Sequence, residues 1–150
     1  MTARRIALTL ALLTVGVAAG TAATNVYLGT WTLNQAKSKI APGAPANTTV
    51  VYEAVGDDVK ITVDGTNEGK AAHNEWTGKF DGKDYAVTGD SSVDARAYTR
   101  VDDKTLTFEN KKDGKVTVSG RVVISADGKT RTVTTKTDAG VSSTAVYDKQ

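Results

Sequence analysis

Short alternating segments, separated by Asp-Gly dipeptides, constrain the fold of this chain more than any other feature. Between residues 59 and 64, valine or isoleucine alternates with polar residues, which is typical of a β-strand with one face in water. Asp-Gly favours the tight turns that reverse twisted strands, and such dipeptides begin at Asp81, Asp113 and Asp127. Residues 35–40 are compatible with one helical turn, and the polar residues 65–70 indicate a loop. The sequence therefore predicts an all-β protein of roughly eight to ten strands.

The connections between the predicted strands favour a barrel. Asp-Gly-Lys occurs at 81–83, 113–115 and 127–129, and this unequal spacing indicates a repeated turn rather than an internal repeat. The one long irregular connection, over 35–47, contains both prolines. A two-sheet sandwich usually needs several longer crossovers, whereas closing a meander removes both sheet edges. We therefore predict an antiparallel up-and-down β-barrel domain over residues 24–150, with the sandwich as the alternative.

Residues 1–23 have the organisation of a secretory signal peptide. A basic start precedes an apolar run over 6–19, and small residues follow at 20–23. The alternative, a retained membrane anchor, is disfavoured because a span needs about 20 apolar residues. We expect cleavage after Ala22 or Ala23 and a periplasmic or secreted mature protein.

Removing that segment changes the charge balance of the chain. The segment carries two arginines and no acidic residue, so 17 basic residues remain against 17 acidic ones. A net charge near zero without a basic cluster argues against nucleic acid as a partner. The absence of cysteine excludes disulfides, thiolate catalysis and cysteine metal ligands. We expect a monomer with no membrane span after signal cleavage and no cofactor.

The residues that could carry catalysis or bind a metal are few. His73, the single histidine, could act beside Glu75 as a general base, but no motif supplies a nucleophile. We therefore favour a surface histidine. The carboxylate pairs Asp57-Asp58 and Asp102-Asp103 lack the spacing of a calcium loop and suit turns. The sequence predicts neither an enzyme nor a metal site.

Gly29-Thr30-Trp31 on the first predicted strand resembles the Gly-x-Trp signature of lipocalin and calycin barrels. The final strand, ending at 146–150, resembles the close of fatty-acid-binding proteins. With the segments 77–85 and 125–130, the mature chain resembles small exported bacterial lipocalin-like proteins of unassigned function. The connection over 35–47 is too short for the two helices that lid a fatty-acid-binding barrel.

The resemblance implies a cavity for an apolar ligand and a basic side chain that covers the tryptophan. Arg121, Arg131 and Lys149 are the alternatives for that basic side chain. Gly29 and Trp31 are predicted to be structural. Gly29 would let the chain pass closely, and Trp31 would seal one end of the barrel, so a binding site would lie toward the opposite mouth.

Five side chains are candidate ligand-binding residues: Trp76, Arg96, Tyr98, Phe108 and Arg121. The rings would line an apolar cavity and an arginine would anchor an acid group. Alternatively, the rings pack a solid core and the arginines face solvent. An enclosed space of about 300 Å³ or more would favour a ligand.

These features predict a non-catalytic binding protein for a small, at least partly apolar molecule. The alternative is an extracytoplasmic module that recognises a protein or polysaccharide without an internal ligand. A filled interior together with an exposed apolar patch would favour that alternative.

Overall fold

The computed structural model describes residues 25–150, so the predicted signal peptide lies outside the described residues. Ten β-strands and one 3-10 turn make up the described part of the chain. The 3-10 turn spans Gln35–Lys37. The strands in chain order are β1 Gly29–Leu33, β2 Ala46–Val55, β3 Asp58–Asn67, β4 Lys70–Gly78, β5 Asp81–Thr88, β6 Ala95–Asp102, β7 Thr105–Lys112, β8 Lys115–Ile124, β9 Thr130–Thr137 and β10 Ser142–Lys149.

The strands form one closed antiparallel barrel. Each strand pairs with its neighbours in the chain, and β1 closes the barrel by pairing with β10. Trp31 lies opposite Val50 on one side and Lys149 on the other. The predicted up-and-down barrel is therefore confirmed, with ten strands, and the sandwich is excluded.

Among residues 25–150, no helix has the length and apolar character needed to cross a membrane.

The loop predicted over 65–70 is wrong. β3 continues to Asn67 and β4 begins at Lys70, which leaves a two-residue turn at Glu68-Gly69. Both turn residues have positive φ, 50° and 76°, as a tight turn between twisted antiparallel strands requires. The strand pairing could not be predicted from the polar composition of this segment, because exposed strand ends are as polar as loops.

The turn predicted at Asp81-Gly82 is also wrong. These residues lie inside β5, and the chain reverses before them, at Lys79-Phe80. Gly82 has a φ of 80°, and the register against β6 shifts between Asp81 and Asp84. The dipeptide therefore forms a β-bulge, a structure that uses the same positive φ as a turn.

The connection between β1 and β2 stays attached to the barrel wall through Ser38. The Ser38 hydroxyl donates to the Asn34 carbonyl at 2.7 Å, and the Val146 amide donates to the Ser38 hydroxyl at 2.9 Å. Lys39 then forms a β-bridge with Thr144. The predicted helical turn shrinks to three residues because this strand-like pairing with β10 resumes directly after it.

A cluster of buried aromatic side chains seals the end of the barrel where β1 begins, here called the closed end. The Trp31 indole donates from Nε1 to the Tyr27 carbonyl at 2.8 Å. The Tyr27 ring packs 5.7 Å from Phe80 and 6.3 Å from Tyr52, centroid to centroid. Tyr27 and Trp31 have no exposed surface, so this end is closed to solvent.

Lys149 is the basic side chain that covers Trp31. Its Nζ lies 5.1 Å from the centroid of the indole, within the range of a cation–π contact. Gly29 has a φ of 117°, and a Cβ there would lie 3.1 Å from Lys149 Cε. Glycine therefore serves both the backbone conformation and the close approach of the lysine.

The β4–β5 seam, residues 75–88, has the sparsest backbone pairing in the barrel. Two residue pairs join these strands, Glu75 with Thr88 and Trp76 with Val87, whereas nine pairs join β3 to β4. Side chains fill the gap, with the Tyr85 ring packed over Gly78. Side-chain packing therefore replaces much of the missing backbone ladder here.

Candidate functional site

A cavity of about 160 Å³ lies toward the open end of the barrel, opposite the Trp31 seal. The rings of Tyr98 and Phe108, 5.5 Å apart, separate it from the aromatic cluster of the closed end. Its apolar wall also includes four valines, and Ala44, Pro45 and Val141 from the connecting segments line its mouth. The valines are Val50, Val63, Val118 and Val133. The interior is therefore packed at one end and hollow at the other.

Three of the five candidate binding residues line this cavity, namely Arg96, Tyr98 and Phe108. They come together because Arg96 and Tyr98 alternate on the inner face of β6 and Tyr98 pairs with Phe108 on β7. Arg121 lies apart from them, exposed on the outer face of β8. Its neighbour Val122 is fully buried and takes the inner face.

Trp76 points into the barrel but does not line the cavity. Its ring packs 4.9 Å from Tyr98, 5.6 Å from Tyr85 and 6.2 Å from Phe80. Its Nε1 donates to the carbonyl of Arg96 at 2.9 Å. This tryptophan supports the backbone of a cavity residue instead of forming the cavity wall.

Arg131 is a cavity residue, although the sequence resemblance named it only as a possible cover for Trp31. It lies on β9 directly opposite Tyr147 and is 5% exposed. Its Cζ lies 5.3 Å from the ring centroid of Tyr52 and 4.7 Å from that of Tyr147. Nη2 donates to the Tyr52 hydroxyl at 3.1 Å. In the sequence, the signal for its inward position is that Arg131 lies two residues before Val133, on the same face of β9.

Both tyrosines that contact Arg131 stay protonated at neutral pH. Burial raises the pKa of Tyr52 and the pKa of Tyr147, and in each case the opposing effect of the Arg131 charge is smaller. Neither phenol therefore supplies a negative charge to the guanidinium.

Arg96 is the second buried cation of the cavity, and it is 6% exposed. Its Nε donates to Asn110 Oδ1 at 2.6 Å, and Nη2 lies 3.5 Å from Asn74 Oδ1. Both acceptors are neutral amides. Within residues 25–150, neither Arg96 nor Arg131 forms an ion pair, so the interior carries an excess of positive charge.

His73 lies on the outer face of β4, away from the cavity. Its Nδ1 is 2.6 Å from Asp64 Oδ1, and Nε2 is 3.8 Å from Glu75 Oε1. Across the described part of the chain, no three side chains of the metal-binding types cluster closely enough to hold an ion. The surroundings of His73 are those of an exposed ion pair.

We expect the imidazole of His73 to titrate above its ordinary range. The hydrogen bond that His73 Nδ1 donates to the Asp64 carboxylate raises the pKa of His73. The pair therefore contributes stability below about pH 6.5, the unfolded pKa, and loses it as the pH rises through the folded pKa. An NMR titration should show a lower pKa in Asp64→Asn than in the wild type. An identical pKa in both proteins would contradict this role of Asp64.

Gly120→Ala should destabilise the barrel at the floor of the cavity. A Cβ at Gly120 would lie 2.3 Å from two ring atoms of Phe108, so the ring must shift. We expect the free energy of unfolding to fall by about 1–3 kcal/mol, as in other overpacked cores. Urea unfolding measures this change. Ser119→Ala, on the exposed face of the same strand, should stay within about 0.5 kcal/mol of the wild type.

No protein-family model matches the chain, and no curated protein sequence is similar to it. Among solved structures, a similar one is described as the structure of a redesigned β-barrel, mFAP1, bound to DFHBI. The two chains share 13% sequence identity with a TM-score of 0.49, over 83% of this chain and 95% of that chain.

Proposed function

We propose that this chain is a non-catalytic binding protein for a small, at least partly apolar ligand that occupies the cavity. The cavity itself is the observation that carries the proposal. Apolar and aromatic walls with a few converging polar groups are the usual composition of small-molecule sites. Arg96, Asn110 and Arg131 supply those polar groups here. The sealed end behind Trp31 leaves the opposite mouth as the route of entry.

The volume limits the size of the ligand. About 160 Å³ is well below the threshold of about 300 Å³ that was to favour a ligand, which is roughly the lower bound for drug-sized sites. It is close to the roughly 150 Å³ cavity that accepts benzene in another protein. The ligand is therefore comparable in size to one aromatic ring.

We further propose that the protein works in the periplasm or outside the cell as a lipocalin-like barrel. The signal-peptide pattern over 1–23 supports export. The packing of Lys149 on Trp31 supports the resemblance, which implies such a basic cover. The alternative, a surface that recognises a protein or polysaccharide, is less favoured, because the exposed large hydrophobic residues of the described chain include no aromatic side chain. They are five valines: Val55, Val101, Val116, Val123 and Val141.

Fluorobenzene tests whether the cavity accepts an apolar molecule of this size. We expect its ¹⁹F NMR signal to shift or broaden when wild-type protein is added. The signal should not change when the Val118→Phe variant is added, because the new phenylalanine ring fills the cavity. Val123→Phe is the matched control, because Val123 lies on the outer face of the same strand. Equal responses from both variants would contradict binding in the cavity.

Native mass spectrometry of protein purified from its own host tests the physiological side of the proposal. A co-purifying adduct that is present in the wild type and in Val123→Phe, but missing from Val118→Phe, is the expected result. An adduct retained by Val118→Phe would place the ligand outside the cavity and favour the surface-recognition alternative.

A further inference from the structure

The two buried arginines point to a particular class of ligand. We propose that the cavity binds a small monocarboxylic acid, whose carboxylate faces the guanidinium groups and whose apolar part has the size of one ring. This inference rests on the proposed function, since it requires that a ligand occupies the cavity.

Arg131 carries the first part of the argument. Its guanidinium offers five N–H donors, yet Nε and Nη1 are fully buried without any hydrogen-bond partner. Leaving a buried charge without a counter-ion is costly. The rings of Tyr52 and Tyr147 offset part of that cost through cation–π contacts. They leave the charge itself unbalanced, because both phenols are neutral.

Arg96 adds a second positive charge to the wall of the same cavity. Its hydrogen bonds to Asn110 and Asn74 satisfy donors but bring no negative charge. The residues that line the cavity include these two arginines and no aspartate or glutamate. An anion that enters this space would meet an electrostatically complementary wall, and carboxylates form strong charge-assisted bonds with guanidinium groups.

The rest of the wall favours an organic monoanion over an inorganic one. Val50, Val63, Val118 and Val133 face the same cavity, and an inorganic ion would leave that apolar surface uncovered. A second carboxylate on the ligand would lie against the valines without a partner, which is unfavourable. A ligand with one carboxylate and a compact apolar group would pair with the arginines and cover the valines of the cavity wall.

Isothermal titration with benzoate and with benzamide, its neutral counterpart of similar shape, tests the charge preference. We expect benzoate to bind the wild type at least about tenfold more tightly than benzamide. Arg131→Met should weaken benzoate binding by about tenfold or more and leave benzamide nearly unchanged. Arg121→Met is the control, because Arg121 is exposed on the outer face, and it should behave like the wild type.

A melting curve without any ligand provides an independent measurement. Arg131→Met should melt at the wild-type temperature or above it, because replacing a buried unpaired charge by an apolar side chain of similar volume is neutral or stabilising. A large fall in the melting temperature would mean that Arg131 serves the fold, and it would overturn the assignment of this residue to the ligand. Arg96→Met then supplies the same binding comparison.

The outcomes separate this inference from the proposed function. If benzamide binds as tightly as benzoate, the carboxylate is not recognised, although a ligand site remains. If inorganic phosphate binds as tightly as benzoate, the site takes a simple anion and the organic acid is wrong. If neither ring compound binds while fluorobenzene does, only the present inference fails. If fluorobenzene also fails to bind, both proposals fall.

Discussion

Trp31→Ala should lower the free energy of unfolding by about 3–5 kcal/mol, the usual cost of truncating a fully buried tryptophan. The side chain has no exposed surface, and its loss removes the seal of the closed end. It also removes the Nε1 hydrogen bond to the Tyr27 carbonyl and the surface on which Lys149 lies. Urea unfolding followed by circular dichroism measures the change.

Two further variants serve as comparisons for Trp31→Ala. Thr32→Ala changes the adjacent, exposed residue of β1 and should stay within about 0.5 kcal/mol of the wild type. Trp31→Phe keeps an aromatic ring but loses the indole donor, so it should fall between the wild type and Trp31→Ala. A wild-type unfolding midpoint for Trp31→Ala would show that the closed end does not depend on this side chain.

Trp76→Ala should cost a similar amount, about 3–5 kcal/mol, but its effect should concentrate at the β4–β5 seam. Only two residue pairs join these strands. The indole packs against Tyr85 on β5 and bonds through Nε1 to the Arg96 carbonyl on β6. Removing the indole therefore weakens the β4–β5 seam, where backbone pairing contributes least to stability.

Hydrogen exchange distinguishes this effect from a uniform loss of stability. In Trp76→Ala, backbone amides of β5 should lose more protection than those of β8, which has eight residue pairs with β7 and seven with β9. Thr77→Ala, exposed on the same strand, should leave the exchange pattern unchanged. Equal loss of protection in β5 and β8 would argue against a locally weak seam.

The sequence predicted the barrel well because strand alternation and turn chemistry are local. Val59, Ile61 and Val63 indicated their strand without any knowledge of its neighbours. The misassignment of Asp81-Gly82 shows where local information ends. The dipeptide provides the same positive φ in a turn and in a bulge, and its pairing with the distant β6 decides between them.

The candidate site was predicted only in part, for a related reason. Arg96, Tyr98 and Phe108, which line the cavity, were named because large rings can line an interior and an arginine can anchor an acid group. The size of the cavity depends on how side chains from many strands fit together, and no single segment encodes that. Arg131 was expected only as one of three possible covers for Trp31, and because an arginine is rarely buried, its alternation with Val133 does not by itself indicate a cavity residue.

Pairing between neighbouring strands has a consequence for how the chain folds. From β2 to β10, every strand pair is a hairpin formed by adjacent segments, so its contacts need only short loops to close. The pairing of β1 with β10 joins residues more than a hundred positions apart, and among the pairs of neighbouring strands it has the largest loop-closure entropy. Such long-range contacts slow folding. We therefore expect barrel closure, which includes the bond from the Gln150 amide to the Thr30 carbonyl at 3.0 Å, to limit the folding rate and to follow formation of the hairpins.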